Sequence, residues 1–203
     1  MESRLRGYFG IGIEGVSKPY NLGNVFRTAH AFDAAFVFTI RASYAQEEVG
    51  KVDTSDALAA LPFYRFPDVA DLVVPSGCQV VGIELTDDAI DLPSFRHPVR
   101  AVYVLGAERV GLSDAMLARC DHVVKIPMRF SINLGMAGAL VMYDRLTTLG
   151  RFAPRPVRSG GPTEPLAGHR HGTAFFRSSE AQRLARWQGA PPMAEVADAR
   201  GKD

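Results

Sequence analysis

Cysteine is scarce: Cys78 and Cys120 are the only two in 203 residues. They stand far apart with no histidine pattern beside them, so neither a disulfide framework nor a zinc-ligand set is suggested. Both read as reduced, buried thiols. Long apolar runs are missing too, since nowhere do about 18 apolar residues stand together. Residues 1–10 carry Glu2, Arg4 and Arg6 ahead of the first apolar stretch, unlike a secretory leader. A cytoplasmic protein with no membrane partner is therefore expected. Net charge is almost absent at +1. That balance hides an asymmetry, because residues 1–150 hold 14 Lys/Arg against 17 Asp/Glu while residues 151–203 hold 9 against 5. A phosphate backbone rewards clustered cations, so such a balance does not announce a nucleic-acid ligand. Any such function has to be argued from a site.

What the chain does have is apolar substance. With 47% hydrophobic residues it can bury one sizeable core and leave some length over. Apolar runs of strand length recur at Tyr8 to Ile13, Phe36 to Ile40, Gln79 to Leu85, Ala101 to Leu105 and His122 to Ile126. Helix-like stretches lie between or after them, at Asn24 to Phe32, Ser55 to Ala60, Asp68 to Val73, Asp114 to Ala118 and Asn133 to Leu149. Strands without a polar face, alternating with helices, predict an α/β fold with a mostly parallel sheet flanked by helices. Asn21 and Ser113 read as helix caps and Pro67 as a first-turn residue. After Gly150 come Pro154, Pro156, Gly160, Gly161, Pro162 and Pro165, a span that sustains neither helix nor strand. The expected organisation is a domain over residues 1–150 and a Pro/Gly/Arg-rich extension over 151–203, with a short helix near 178–187.

Gly10, Gly12 and Gly15 match the dinucleotide pattern G-x-G-x-x-G, which must close a strand and open a helix to place phosphates. Here they fall within a strand, and Lys18, Pro19 and Tyr20 separate them from the first helix, so a nicotinamide or flavin site is disfavoured.

Three other clusters carry more chemistry. Asn21-Leu22-Gly23-Asn24-Val25-Phe26-Arg27-Thr28 sets two amides and an arginine at the start of a helix that follows a strand, on the ligand side of an α/β sheet. The fork of Arg27 can hold a phosphate and orient a hydroxyl, although capping amides and a surface arginine would look the same. Leu105 to Ser113 places Gly106, Glu108 and Gly111 at the carboxyl end of an apolar strand. Glu108 is either a site carboxylate or a helix-terminal acid paired with Arg109. Lys125 to Leu140 again runs strand, loop, helix, with Ser131 and Asn133 at the helix entrance, where either could be a plain cap. The small residues Gly135, Ala137, Gly138 and Ala139 then permit close packing.

In this order the three clusters resemble the three signature motifs of the SpoU (TrmH-like) branch of the SPOUT RNA methyltransferases, which modify ribose 2′-hydroxyls of tRNA and rRNA. The resemblance spans about Gly7 to Leu149. It implies a C-terminal deep trefoil knot, an exception to the rule that chains do not knot. It also implies S-adenosyl-L-methionine as cofactor, no metal, and a homodimer packed through the first and last helices of the core. The first motif carries over onto Asn21, Gly23, Asn24, Arg27 and Thr28, the second onto Gly106, Glu108 and Gly111, and the third onto Ile126, Pro127, Met128, Ser131 and Asn133. The implied catalytic set is Arg27, Asn21, Glu108, Ser131 and Asn133. Backbone of Ile83 to Leu85, Gly106, Ile126, Met128, Ser131 and Ile132 would hold the cofactor. Two departures stand out: only two residues separate Met128 from Ser131, and Leu134-Gly135 replace the family's frequent Val-Ser. The activity expected is 2′-O-methylation of RNA, with tRNA the first substrate and rRNA the alternative. A silent RNA-binding module of the same fold is the rival from another class.

Overall fold

The structure is a computed structural model that describes residues 7–43 and 60–162. Among these, seven strands and three α-helices succeed one another as β1 (Tyr8–Glu14), α1 (Pro19–Ala31), β2 (Phe36–Ile40), β3 (Phe63–Phe66), β4 (Gln79–Ile83), β5 (Ile90–Asp91), β6 (Arg100–Gly106), α2 (Asp114–Leu117), β7 (His122–Lys125) and α3 (Leu134–Leu149). The strands form one sheet in the order β3-β2-β1-β6-β4-β7-β5. Every pairing in it is parallel. The α/β reading therefore holds.

Both faces of the sheet are covered, as a parallel sheet requires. Phe9, Ile11 and Ile13 of β1 face α1 and α3 and join a core with Leu22, Val25, Phe26, Val141 and Met142. On the other face Phe36, Phe38, Val102 and Val104 pack with Val69, Leu72 and Met116. Gly10 and Gly12 lie on this second face, and their real task is steric: a Cβ on either would run into the ring of Phe36 or Phe38. In the glycine pattern that mimics a dinucleotide loop, Gly10 and Gly12 are a shelf for two aromatic rings, while Gly15 falls just past the end of β1 rather than within it.

Several boundaries differ from expectation for local reasons. The first helix starts at Pro19, which suits a first-turn position, so Asn21 lies inside it and Lys18 is the N-cap residue. Ser113 does cap α2, accepting from the Met116 amide at 3.2 Å. The stretch Asp68 to Val73 forms only a 3-10 turn at Val69–Asp71, capped by Asp68, so Pro67 precedes the cap rather than opening a helix. β3 and β5 were missed because one carries Arg65 on an edge and the other is two residues long. Most of the helix expected at Ser55 to Ala60 lies outside the described residues. Cys78 and Cys120 are free and half-buried rather than fully buried.

The chain divides into two compact units, residues 1–154 and 155–203. Of the second, residues 155–162 are described and carry neither helix nor strand. The helix expected near 178–187 lies outside the described residues. Among the described residues, no helix is long and apolar enough to cross a membrane.

A buried polar cluster ties α3 to β6. Arg145, 1% exposed, donates to the carbonyls of Pro98 at 2.6 Å and Val99 at 2.9 Å and to the Tyr103 hydroxyl at 3.2 Å. Its guanidinium lies 5.0 Å from the Phe9 ring centroid. His97 Nδ1 sits 2.6 Å from the Tyr103 oxygen and Nε2 sits 2.9 Å from Asp144. Burial pushes His97 below its ordinary value in spite of Asp144, so the ring is neutral and the Asp144 contact is a hydrogen bond rather than an ion pair. Burial also raises the Tyr103 hydroxyl to about 12.

Candidate functional site

Three loops leave the carboxyl ends of β4, β6 and β7 and converge, which is where open α/β sheets place ligands. The β6 loop turns back on itself at once. Ala107 and Gly111 form an antiparallel bridge, the Gly111 amide donates to the Ala107 carbonyl at 2.8 Å, and Gly111 adopts φ +72°. Gly106 has to be glycine because a Cβ there would lie 2.7 Å from Gly111 Cα and closer still to the next peptide group.

Two carboxylates hold this loop from beneath. Glu84 accepts the Leu112 amide at 2.6 Å and its neighbour Leu85's amide at 2.9 Å. Glu14, 3% exposed, accepts the Ser113 amide at 2.9 Å and its hydroxyl at 2.6 Å, with an Arg41 nitrogen 3.5 Å away. Amide donors and a nearby cation are what a buried carboxylate needs. Sequence reasoning missed Glu14 and, although it named the Ile83 to Leu85 backbone, missed the role of the Glu84 side chain. The signal was present, because β1 and β4 each run directly into a glutamate, as Ile13-Glu14 and Ile83-Glu84.

The third loop closes the site. Asn133 caps α3 by accepting the Gly135 amide at 2.8 Å, and its amide nitrogen donates to Glu108 at 3.0 Å. It therefore both caps α3 and lines the cavity described below. Glu108 pairs with Lys18 at 3.5 Å, not with Arg109. Gly135 stands where a Cβ would come within 3.1 Å of Asn24 Cβ and of Asn133 Oδ1, so α1 and α3 meet closely beside the cap.

A cavity of about 600 Å³ lies between the loops. Ile83, Leu85, Ile126, Met128, Ser131 and Ile132 line it, together with Glu84, Glu108 and Asn133. Of the residues expected to meet a cofactor, Gly106 alone does not line it and lies behind its wall. Beside it a smaller cavity of about 250 Å³ is lined by Ser17, Lys18 and Asn21 from the β1–α1 segment and shares Ala107 to Val110 with the first. Asn21 is 8% exposed, and its side-chain oxygen lies 3.5 Å from the Asn133 nitrogen. Asn21, Glu108, Ser131 and Asn133 thus come together. Arg27 does not join them: it is exposed on α1, lines neither cavity, and stands six residues beyond Asn21, about 9 Å along the helix.

A parallel α/β sheet whose loops after β4, β6 and β7 enclose a cavity lined by Glu108 and Asn133 defines a class of ligand-binding α/β domain, and comparison with known proteins makes it specific. The chain belongs to the SpoU rRNA Methylase family, which matches residues 9–143. It is 30% identical over 140 residues to a Staphylococcus aureus protein assigned to the TrmH family of tRNA/rRNA methyltransferases. That match covers 65% of this chain, and the chain spans 56% of the relative's length. Among solved structures, the SpoU methyltransferase AviRb of Streptomyces viridochromogenes, in complex with AdoMet, superposes with a TM-score of 0.65 at 24% identity, covering 72% of this chain and 60% of that one. A structure described as giving insight into 2-OH methylation of C/U34 on tRNA superposes at 0.63 with 25% identity, covering 70% of this chain and 97% of that one.

Proposed function

We propose that this protein transfers a methyl group from S-adenosylmethionine to a ribose 2′-hydroxyl of RNA, with tRNA as the first substrate to test. The observation that carries the reading is the pair of cavities separated by the Glu108 wall, one large enough for a cofactor and one beside it for an acceptor. A volume of about 600 Å³ lies within the 300–1,000 Å³ of small-molecule sites. The larger cavity fits the cofactor chemically, with apolar walls from Ile83, Leu105 and Ile126, loop backbone for polar edges, and the carboxylates of Glu84 and Glu108 opposite a cation. When bound, S-adenosylmethionine supplies an electrophilic methyl group on a sulfonium.

The chain's own residues do the positioning, which is the main task in a direct displacement. Glu108, steered by Asn133 and Lys18, orders the wall between the two cavities. Asn21 presents its amide to the smaller one. Arg27, oriented by an RNA phosphate, polarises the acceptor hydroxyl. Because Arg27 lines neither cavity of its own chain, this role accords with a twofold dimer through α1 and α3. Exposed Tyr20 lies one heptad before Arg27 on α1, and exposed Met136, Leu140 and Tyr143 form a stripe on α3, which supports that face as the interface.

A trefoil knot belongs to the same reading. β7 lies beyond β6 and β4, yet α3 packs back on α1 and β6, a return across the sheet ends that a knot of this kind would use. The tRNA preference draws on the tRNA-related structure that the chain spans almost completely. Calorimetric titration with S-adenosylmethionine, followed by methyl transfer to tRNA and rRNA transcripts, tests the proposal. Arg27→Ala is expected to abolish turnover and leave cofactor affinity within about twofold, a change of roughly 0.4 kcal/mol. Absence of binding in the wild type, with RNA present or not, would refute the reading.

A further inference from the structure

Two of the loops that bound the larger cavity leave apolar side chains in water. Phe130, between the cavity-lining Met128 and Ser131, is 77% exposed. Val110 on the β6 loop is 83% exposed and lines both cavities. Single apolar residues are ordinary on a surface, but these two stand on different loops around one site. Phe130 belongs to neither core and makes no ring or cation–π contact among the described residues, so packing of the fold does not account for it. An exposed arginine precedes each, Arg109 before Val110 and Arg129 before Phe130. Neither arginine has a hydrogen-bond or ion-pair partner among the described residues. Asp87 and Asp91 line a hollow with Arg129 without pairing with it, and Lys125 in the same hollow donates to the carbonyls of Thr86 at 3.2 Å and Asp87 at 3.1 Å.

We propose that Phe130 is a stacking platform for an unpaired RNA base beside the acceptor ribose, with Val110 flanking the strand and Arg109 and Arg129 attracting its backbone. The inference rests on the RNA-methylation reading above and deepens it: the substrate offers its acceptor in a loop or single strand, not within a duplex. Along RNA a charged phosphate and an apolar base face recur at every nucleotide. Arg109-Val110 and Arg129-Phe130 alternate charge and apolar surface in the same way, which favours a nucleic-acid strand over an apolar protein face. Bases inside an A-form helix are already stacked on one another, whereas bases of loops can splay out onto an aromatic ring. The connector of two residues keeps Phe130 at the rim, because the residues on either side of it are fixed in the cavity lining. Val110 lines the smaller cavity as well, so the strand passes next to the place of the acceptor. The carboxylates of Asp87 and Asp91 disfavour a phosphate in the hollow itself and leave the rim, where Phe130 stands, as the path of the strand.

Full-length Phe130→Ala, Phe130→Leu, Phe130→Trp and Arg129→Gln proteins test this against the wild type. The probes are a mixed-sequence RNA strand of about 20 nucleotides and the same strand in a duplex, because stacking on a ring tolerates any base. Binding is measured across a salt series, with S-adenosylmethionine affinity and sedimentation measured separately. Single-strand affinity should fall about tenfold in Phe130→Ala, and duplex affinity should fall much less. The salt slope should stay unchanged in Phe130→Ala, because the ring is neutral, and should drop by about 0.7 in Arg129→Gln. Phe130→Trp should bind at least as well as wild type, and Phe130→Leu, apolar but without a ring, should resemble Phe130→Ala. Cofactor affinity and sedimentation should not change. Unchanged single-strand affinity in Phe130→Ala, equal losses for strand and duplex, or Phe130→Leu as good as wild type would overturn the assignment while leaving the methyltransferase reading intact. A Phe130→Ala protein that sediments as a smaller species would assign the ring to a contact between copies and overturn it too. A wild type that binds no S-adenosylmethionine and methylates neither tRNA nor rRNA transcripts would overturn both.

Discussion

Gly106→Ala places a methyl group where the chain folds back on itself, and its consequence can be worked from the geometry. The new carbon would stand 2.7 Å from Gly111 Cα, with the following peptide group nearer still. Ordinary carbon contacts are about 3.5–4.0 Å, so the loop must retreat by about 1 Å. These neighbours are backbone and have no rotamer to change. Retreat pulls the Leu112 amide from Glu84, a hydrogen bond to a charged group worth about 1.5–3 kcal/mol. Overpacking of this kind costs about 1–3 kcal/mol on its own, and part of the two costs is relieved together. A net loss of about 2–4 kcal/mol in stability is expected, measured by urea unfolding. The displaced residues 107–111 line the larger cavity, so affinity for S-adenosylmethionine should fall about ten- to a hundredfold by calorimetry. Gly138→Ala is the matched control, because a Cβ there meets Leu105 at an ordinary 3.4 Å. Its gain in helix propensity, about 1 kcal/mol, should leave the protein as stable or more so. Gly106→Ala with wild-type stability and affinity would refute the claim that this close approach shapes the cavity.

Two further outcomes follow from the cluster between α3 and β6. Arg145→Met leaves the Pro98 and Val99 carbonyls and the Tyr103 oxygen short of a donor, partly offset because a buried guanidinium is no longer desolvated. A loss of about 2–4 kcal/mol in urea unfolding is expected, and a variant as stable as wild type would show that the cluster contributes no net stability. For pH, the Tyr103 hydroxyl stands raised at about 12 in the folded chain against an ordinary 10, so its contribution is complete below pH 10 and is lost as pH rises toward 12. His97 is depressed, so its contribution is present above its ordinary 6.5 and is lost as pH falls through the lower folded value. Stability measured against pH should fall at both ends, and Tyr103→Phe should flatten the alkaline limb.

Much of the fold was legible because parallel strands buried on both faces leave unbroken apolar runs. Phe36–Ile40 was placed to the residue for that reason, and the other four long strands to within two residues at either end. β3 escaped because an edge strand tolerates Arg65, and the start of α1 was read late because Asn21 resembles a cap while Pro19 carried the true signal. The glycines of β1 show how a pattern can mislead. Gly10 and Gly12 answer to Phe36 and Phe38, one strand away in space and more than twenty residues away in sequence. No reading of residues 10–15 alone could distinguish a ring shelf from a phosphate loop.

The site was legible where a residue's role follows from its own loop and not where it depends on a second one. Asn133 and Glu108 stand 25 positions apart and were both named from their motifs, yet that they share a hydrogen bond needed the converging loops. The side-chain roles of Glu14 and Glu84 escaped for the opposite reason: each looks like a polar strand end, and its value lies in amides of residues 112 and 113. Arg27 marks the remaining limit. Its motif places it on the first helix, but a side chain two turns from the cavity acts on a substrate only if the substrate or another chain bridges the gap. This is why Lys18 and Arg27 have to be separated by experiment: within one chain Lys18 lines the smaller cavity and Arg27 lines neither. If Lys18→Met and Arg27→Ala both lose RNA affinity but only Arg27→Ala loses turnover at saturating RNA, the two cations act at different steps, as the proposed dimer-completed site expects.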